Sequence, residues 1–289
     1  MEILIYDRIN KKVITEKNRR SLIFLYNTKI GRVLLKILIN PIISKVNNYF
    51  IKSPLSKFTI KRFINKNNID MADYENVKYK SFADFFVRKI KKGKRVINED
   101  ANSLIAPCDS KLLVYDINQN TCLKIKNSVY TINELIKDKK LAHEYQNGKC
   151  LVFRLNVDDY HHYCHIDEGK IIESKEIKGV LHTINPIAFK RYKVFSENHR
   201  VVSLLKTKNF KEVLYIEVGA LNIGKINNNN IKEFKKGMEK GYFSFGASTV
   251  ILIFKENTIT IDEDILANSK SDIETKILYG EKIGTTFLK

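Results

Sequence analysis

The chain is 289 residues long, 44% hydrophobic, with a formal net charge of +19. That length can bury a sizeable core as one large domain or a domain with an appendage, and the composition fits a globular protein. The charge points to a polyanionic partner, nucleic acid or an anionic membrane surface, although joint enrichment in Lys, Asn and Ile accounts for part of it. The cysteines Cys108, Cys122, Cys150 and Cys164 form no C-x-x-C pair. Spacing therefore supports neither a zinc site nor a disulfide framework, and a reducing compartment is expected.

Residues 1–75 differ from the rest. Met1 to Asp7 lacks the basic start and long apolar run of a signal peptide, and no stretch approaches the ~20 apolar residues that span a bilayer. Leu22 to Tyr26 and Val33 to Ile39 are apolar runs broken by Lys and Arg. Pro41 should end or kink a helix. The expectation is a helical, membrane-associating region with basic flanks, its apolar faces in the interface and its cations on lipid phosphates. The same pattern also fits a helical layer packed on the protein's own core.

From about residue 100 short β-rich runs take over, among them Lys111 to Tyr115, Leu151 to Leu155 and Val213 to Val218. Thr131 and Glu134 have the spacing of a helix capping box. Asn227 to Asn230 is low-complexity and reads as a solvated loop tip. The fold class expected is α+β: N-terminal helices, then a mainly antiparallel β catalytic core over 76–289.

The chemically suggestive stretch is Gly246-Ala247-Ser248-Thr249, between the strand-like runs Gly241 to Phe245 and Val250 to Phe254. Gly lets the backbone bend, and a bend can bring the Ser248 hydroxyl against the Ala247 carbonyl carbon. Attack would move the acyl group from nitrogen to oxygen. β-Elimination would then cut the chain at 247/248 and leave a pyruvoyl group at Ser248, an electron sink for amine substrates. The plain alternative is a turn between two strands. Self-cleavage also needs a base and a group to orient it, for which a Ser–His–Asp set would suffice. His161, His162 and His165 form a cluster in a chain with six histidines. A metal site there would want further ligands, and the sequence nominates none.

Spaced segments in one order carry a resemblance. They are Phe82-Ala83-Asp84-Phe85-Phe86-Val87-Arg88, Ala106 to Ser110, Asp159-Tyr160-His161-His162-Tyr163, Ile184 to Ala188, Phe195 to Val202, and Lys236 to Thr249. From about residue 80 to the end the chain resembles the phosphatidylserine decarboxylases, self-processing pyruvoyl enzymes of membrane lipid synthesis. The resemblance implies cleavage into chains 1–247 and 248–289 that stay associated. It implies a Schiff base between the pyruvoyl group and the phosphatidylserine amine, release of phosphatidylethanolamine, and no metal. It places the protein on the cytoplasmic face of the cell membrane, on anionic phospholipid, with no nucleic acid. A homo-oligomer stays open.

Residue by residue, the resemblance assigns catalysis to Ser248, His161 and Asp109, with His165 as second candidate for the base. Ser110 follows Asp109 where the family has Gly. The family's second histidine falls on Cys164, and His165 lies one place on. A one-residue shift reverses a strand face, so His165 can substitute only through a bulge or loop. Ala247 replaces the usual Gly before the cleaved serine. Arg200 and Asn198 are the candidate substrate-binding pair, because guanidinium grips phosphate or carboxylate bidentately; a structural role for Arg200 is the alternative. Two rivals remain: an inactive or altered relative that binds anionic lipid, and a basic nucleic-acid binder, which lacks its expected aromatic–Arg interleaving.

Overall fold

The computed structural model describes residues 2–125, 128–221, 225–246 and 248–287. Its centre is a ten-stranded sheet. In order, the strands are Glu233–Phe234, Gly169–Ile177, Arg200–Thr207, Glu212–Val218, Ser248–Phe254, Lys149–Leu155, Ser110–Asp116, Glu274–Ile277, Glu2–Asp7 and Lys12–Lys17. Glu2–Asp7 and Glu274–Ile277 pair in parallel, and the other pairs of this sheet are antiparallel. The α+β expectation holds.

The central strands Glu212–Val218, Ser248–Phe254 and Lys149–Leu155 are buried along almost their whole length because both sheet faces are covered. Along Ser248–Phe254, Ile251 and Ile253 enter one core, with Tyr26, Leu135, Ile184 and Phe195. Val250, Leu252 and Phe254 enter the other, with Tyr163, Phe243, Ile226 and Ile283. Helical and irregular segments cover the first face. The second is covered by two three-stranded sheets, one formed by Lys225–Asn228, Glu239–Ser244 and His162–Cys164. Thr131 and Glu134 make both halves of the expected capping box, which starts the helix Ile132–Ile136.

Residues 1–75 require a correction. The region opens with a β-hairpin, Glu2–Asp7 against Lys12–Lys17, joined to the main sheet. Ile3, Ile5 and Asp7 alternate inward, which is strand periodicity and not a helical face. Helices follow: α1 (Arg20–Asn27), α2 (Lys29–Leu38), α3 (Pro41–Lys52) and α4 (Phe58–Asn67). Pro41 occupies the first turn of α3, where a missing N–H costs nothing, and Asn40 caps it. The short helix α5 (Phe82–Phe86) joins Ile51 of α3 in a third, smaller core that Phe63 and Phe245 complete. The Asn227 to Asn230 run is also not all loop. Asn227 and Asn228 pair with Tyr242 and Gly241, and Asn228 accepts the Tyr163 hydroxyl at 2.9 Å.

Candidate active site

Ser248 is the first residue of a central strand, opposite Leu155, and is fully buried. The chain reaches it through a bend. Phe245 has φ +23° and Gly246 has φ +120°. The first is a sparsely populated conformation for a side-chain-bearing residue, costing of order 1–3 kcal/mol, and the second suits glycine alone. Packing holds the bend: the Phe245 ring lies 5.2 Å from Phe82 and 5.3 Å from Phe86. Ala247, the other half of the expected cleavage site, lies outside the described residues. Among the described residues the Ser248 hydroxyl is buried with no hydrogen-bond partner, a costly arrangement.

His161 stands beside this bend. Its carbonyl accepts the Phe243 N–H at 3.0 Å, and its ring packs 4.3 Å from Phe86. Nδ1 bonds the Asp159 carbonyl at 2.9 Å. A carbonyl only accepts, so Nδ1 carries the proton and Nε2 presents its lone pair. Nε2 is buried and unpartnered. Burial, reinforced by the Arg88 charge, pushes the imidazole down to about 3 against the pull of the Asp159 and Gly246 backbone. His161 is therefore an uncharged base at neutral pH. The Asp159 carboxylate is itself fixed by Lys111 at 2.6 Å and the Asn156 N–H at 2.6 Å.

The other expected site residues go elsewhere. Asp109 does not orient a histidine: Arg95 grips it at 2.9 and 2.7 Å, and the Tyr279 N–H donates to it at 2.8 Å. Cys164, where the resemblance puts a second histidine, shares a side-chain hydrogen bond with Tyr279. Burial pushes this thiol up to about 12, so it is neutral and no base. His165 is no substitute. Its ring lies flat on Phe234 at 3.8 Å, and burial with nearby Lys240 pushes it down to about 3. The strand His162–Cys164 separates it from His161, and its ring is engaged with Phe234. His162, between Tyr160 and Tyr242, has both ring nitrogens engaged, with Glu239 and the Val87 carbonyl.

Arg200 and Asn198 are also corrected. Arg200 is fully buried and donates to the carbonyls of Leu135, Glu134, Ser196 and Asn198 at 2.6–2.9 Å. It satisfies the C-terminal carbonyls of Ile132–Ile136, and its fork is spent. Asn198 holds His182 through both its N–H and carbonyl, and accepts no other task than bonding the Gly219 carbonyl as well. Together they brace the loop that carries Thr183, Ile184 and Asn185.

That loop walls a cavity of about 520 Å³ that reaches Gly246 and Phe245. Arg154, in its wall, is neutralised by Glu274 and Glu16. Arg19, also in the wall, is exposed and bonds Asn67 at 3.0 Å, so its charge is available. Sequence reading passed over Arg19; its one trace there is the Arg19-Arg20 pair before an apolar run. A second cavity of about 350 Å³, lined by Phe50, Ile51, Phe63, Phe82 and Phe245, shares Phe63 and Phe245 with the lining of the first. Among the described residues no group of three metal-binding side chains is assembled.

A buried serine thus stands at a strained strand entry, and an uncharged histidine lies against the bend before it. A model of the phosphatidylserine decarboxylase family matches residues 82–285. The chain is 54% identical over 289 residues to phosphatidylserine decarboxylase proenzyme 2 of Clostridium acetobutylicum, covering 99% of each. It is 41% identical over 291 residues to the phosphatidylserine decarboxylase proenzyme of Ruminiclostridium cellulolyticum, covering 98% of this chain and 97% of that one. The proenzyme of Clostridium tetani is 41% identical over 295 residues, with 99% of each covered. The chain belongs to the phosphatidylserine decarboxylase family.

Proposed function

We propose that this protein is a proenzyme that cuts itself between Ala247 and Ser248 and then decarboxylates phosphatidylserine to phosphatidylethanolamine. The observation that carries the reading is the strained bend at Phe245 and Gly246, which leads into a buried, unpartnered Ser248 hydroxyl and has His161 against the Gly246 backbone. His161 takes the hydroxyl proton, and the Asp159 carbonyl keeps the imidazole in the tautomer that allows it. The strand Ser248–Phe254 is paired on both sides, so chain 248–289 stays in the sheet after the cut.

The unpartnered serine fits a precursor of a pyruvoyl group, which would supply an amine-binding electron sink. The cavity beside Gly246 has the size of a small-molecule site and takes the phosphoserine headgroup, with Arg19 on its phosphate. The uncharged His161 beside the bend supports proton return to the product carbon.

We place the protein on the cytoplasmic face of the cell membrane, held by α1 to α4. Among the described residues no helix is long and apolar enough to cross a membrane. These helices instead leave Ile30, Val33, Ile37, Ile42 and Phe58 exposed beside Lys29, Arg32, Lys36 and Lys61, the pattern of interfacial helices on anionic lipid.

Denaturing electrophoresis with intact mass tests the cleavage. Wild-type protein gives two chains, the smaller covering 248–289 with a blocked N-terminus, and Ser248→Ala gives one full-length chain. An active wild-type protein that stays a single chain ends this reading.

A further inference from the structure

Tyr26 is the one buried residue of α1, and it reaches into the loop that walls the cavity beside Gly246. Its ring lies 5.9 Å from Tyr192 and 6.0 Å from His182, and His182 stacks on Tyr192 at 4.1 Å. A phenylalanine would supply that packing. The hydroxyl adds a specific bond: it accepts the Thr183 N–H at 2.9 Å and lies 3.2 Å from His182 Nδ1. Burial pushes the His182 imidazole down to about 4, so the ring is uncharged at neutral pH. Its Nε2 faces the Glu197 carboxylate at 3.7 Å, which favours the ring proton on that side. Nδ1 is then the acceptor, and the Tyr26 hydroxyl donates to it while accepting from Thr183.

Three consecutive N–H groups of the loop are held at this point. Leu181 donates to the Ile39 carbonyl just past α2 at 3.0 Å, His182 to Asn198 Oδ1 at 2.9 Å, and Thr183 to Tyr26. Two of the three bonds run to the N-terminal helices. Thr183, Ile184 and Asn185 then form one wall of the 520 Å³ cavity, and Arg19, Leu22 and Leu25 form another. The spacing of two such walls is set by what joins them. The Tyr26 hydroxyl joins α1 to the first residue of the loop wall. None of these bonds involves Ser248, His161 or Phe245.

We infer that Tyr26 is a positioning residue of the substrate site, whose hydroxyl fixes loop 183–185 against α1 and so sets the shape in which the cavity meets the phosphoserine headgroup. The inference rests on the reading that this cavity takes the headgroup. The hydroxyl touches no substrate atom and acts through the loop. Without it the buried Thr183 N–H has no partner, the loop spreads over other conformations, and a bound substrate has to order it again. That cost falls on binding, so it enters KM and leaves kcat nearly untouched. Self-cleavage needs no substrate and does not feel it.

The test is Tyr26→Phe, which keeps the ring and deletes only the hydroxyl. Monomeric dibutyryl phosphatidylserine is the substrate, because its short chains make turnover independent of vesicle binding. The variant should cleave itself at the wild-type rate and bind phosphatidylserine vesicles as wild type does. Its KM for the soluble lipid should rise about 5- to 100-fold, the equivalent of one buried donor left unsatisfied, with kcat within about threefold. His182→Phe keeps the stack on Tyr192 and the Thr183 bond but removes the acceptor of the hydroxyl proton. It should raise KM by a smaller factor, and it carries the test if Tyr26→Phe does not fold.

An unchanged KM for the soluble lipid overturns the inference. If vesicle binding falls at the same time, Tyr26 seats α1 on the membrane instead. Joint loss of self-cleavage and decarboxylation also overturns it, because the hydroxyl then supports the fold at large. Arg19→Gln tells this failure from failure of the headgroup reading. A raised KM in Arg19→Gln beside a normal one in Tyr26→Phe ends only the inference. A normal KM in both ends the assignment of the headgroup to this cavity.

Discussion

In the strand Ser248–Phe254 every residue is buried, whereas α2 leaves Ile30, Val33, Leu34 and Ile37 exposed. Both stretches are strongly apolar, yet they use that character differently. The strand spends it twice, on the cores above and below the sheet. That makes an environment where a hydroxyl and an imidazole stay dry and uncharged, and where a cut chain cannot leave. Helix α2 packs one narrow side, Gly31 and Leu35, and keeps the rest unspent. The difference separates chemistry, which needs exclusion of water, from docking, which needs apolar surface that folding did not consume. Three tests follow, and the largest effect belongs to the buried half.

His161→Ala should slow self-cleavage by about 10²- to 10⁴-fold, the span of a general base. Cys164→Ala and His165→Ala should each stay within about tenfold of wild type, because neither side chain faces the bend. Wild-type cleavage should also run at an even rate from pH 8 to pH 5. An ordinary histidine would lose its free base below about 6.5, but burial first, and then Arg88, hold His161 near 3. His162 also disfavours its charged form, and the Asp159 and Gly246 backbone favour it. A rate that halves near pH 6.5 would show that water reaches the site and that the contrast between the two regions is overstated.

The exposed half is tested by charge. Val33→Asp with Ile37→Asp places acids on the open face of α2 without touching Leu35. Removing two apolar side chains from an interface forfeits about 3 kcal/mol or more, so binding to phosphatidylserine vesicles should fall at least 100-fold in co-sedimentation. Wild-type binding should weaken in part with salt, because cations add about 1 kcal/mol each near an anionic surface and are screened. Self-cleavage of the double variant should match wild type, since the bend is braced by Phe82 and Phe86. Unchanged vesicle binding would make these helices a structural layer.

Much of this contrast was legible in the sequence. Two apolar runs flanking Gly246 to Thr249 placed Ser248 at a strand entry, and Thr131 with Glu134 announced a helix start. The apolar runs of the helices showed amphipathic potential. What escaped depends on contacts distant in sequence. Nothing near Asp109 in the sequence shows that Arg95 will take it. Arg200 looked like an anion clamp because a buried arginine that feeds on backbone carbonyls leaves no local signature. The bend was expected at Gly246, yet Phe245 shares its strain, because aromatic packing outweighs the backbone preference of a single residue. Glu2–Asp7 is the instructive miss. Its run Ile3-Leu4-Ile5-Tyr6 shows no alternation in the sequence, and its partner Glu274–Ile277 lies at the other end of the chain.

That hairpin belongs by position to the N-terminal region and by burial to the sheet, with Ile3 and Ile5 inside. Asp7 decides which company it keeps. One carboxylate oxygen accepts the Ile9 and Asn10 N–H groups at 3.0 and 3.1 Å, and the other meets Lys276 Nζ at 3.1 Å. Burial by itself would raise this carboxyl, but the Asn10 donors and Lys276 outweigh it and hold the group down to about 2. A depressed folded value means that the unfolded hairpin binds the proton more readily. The stabilisation is therefore full above about pH 4 and lost as pH falls through about 2. Amide protection factors at Ile5 and Tyr6 should drop between pH 4 and pH 2, while those of Ile251 and Leu252 hold. Asp7→Asn should show the lower protection already at pH 5 and little further acid dependence. The effect is the smallest of the set, because Ile3 and Ile5 keep their contacts. Hairpin protection that tracks the central strands down to pH 2 would show that the sheet alone holds this edge and that Asp7 adds nothing.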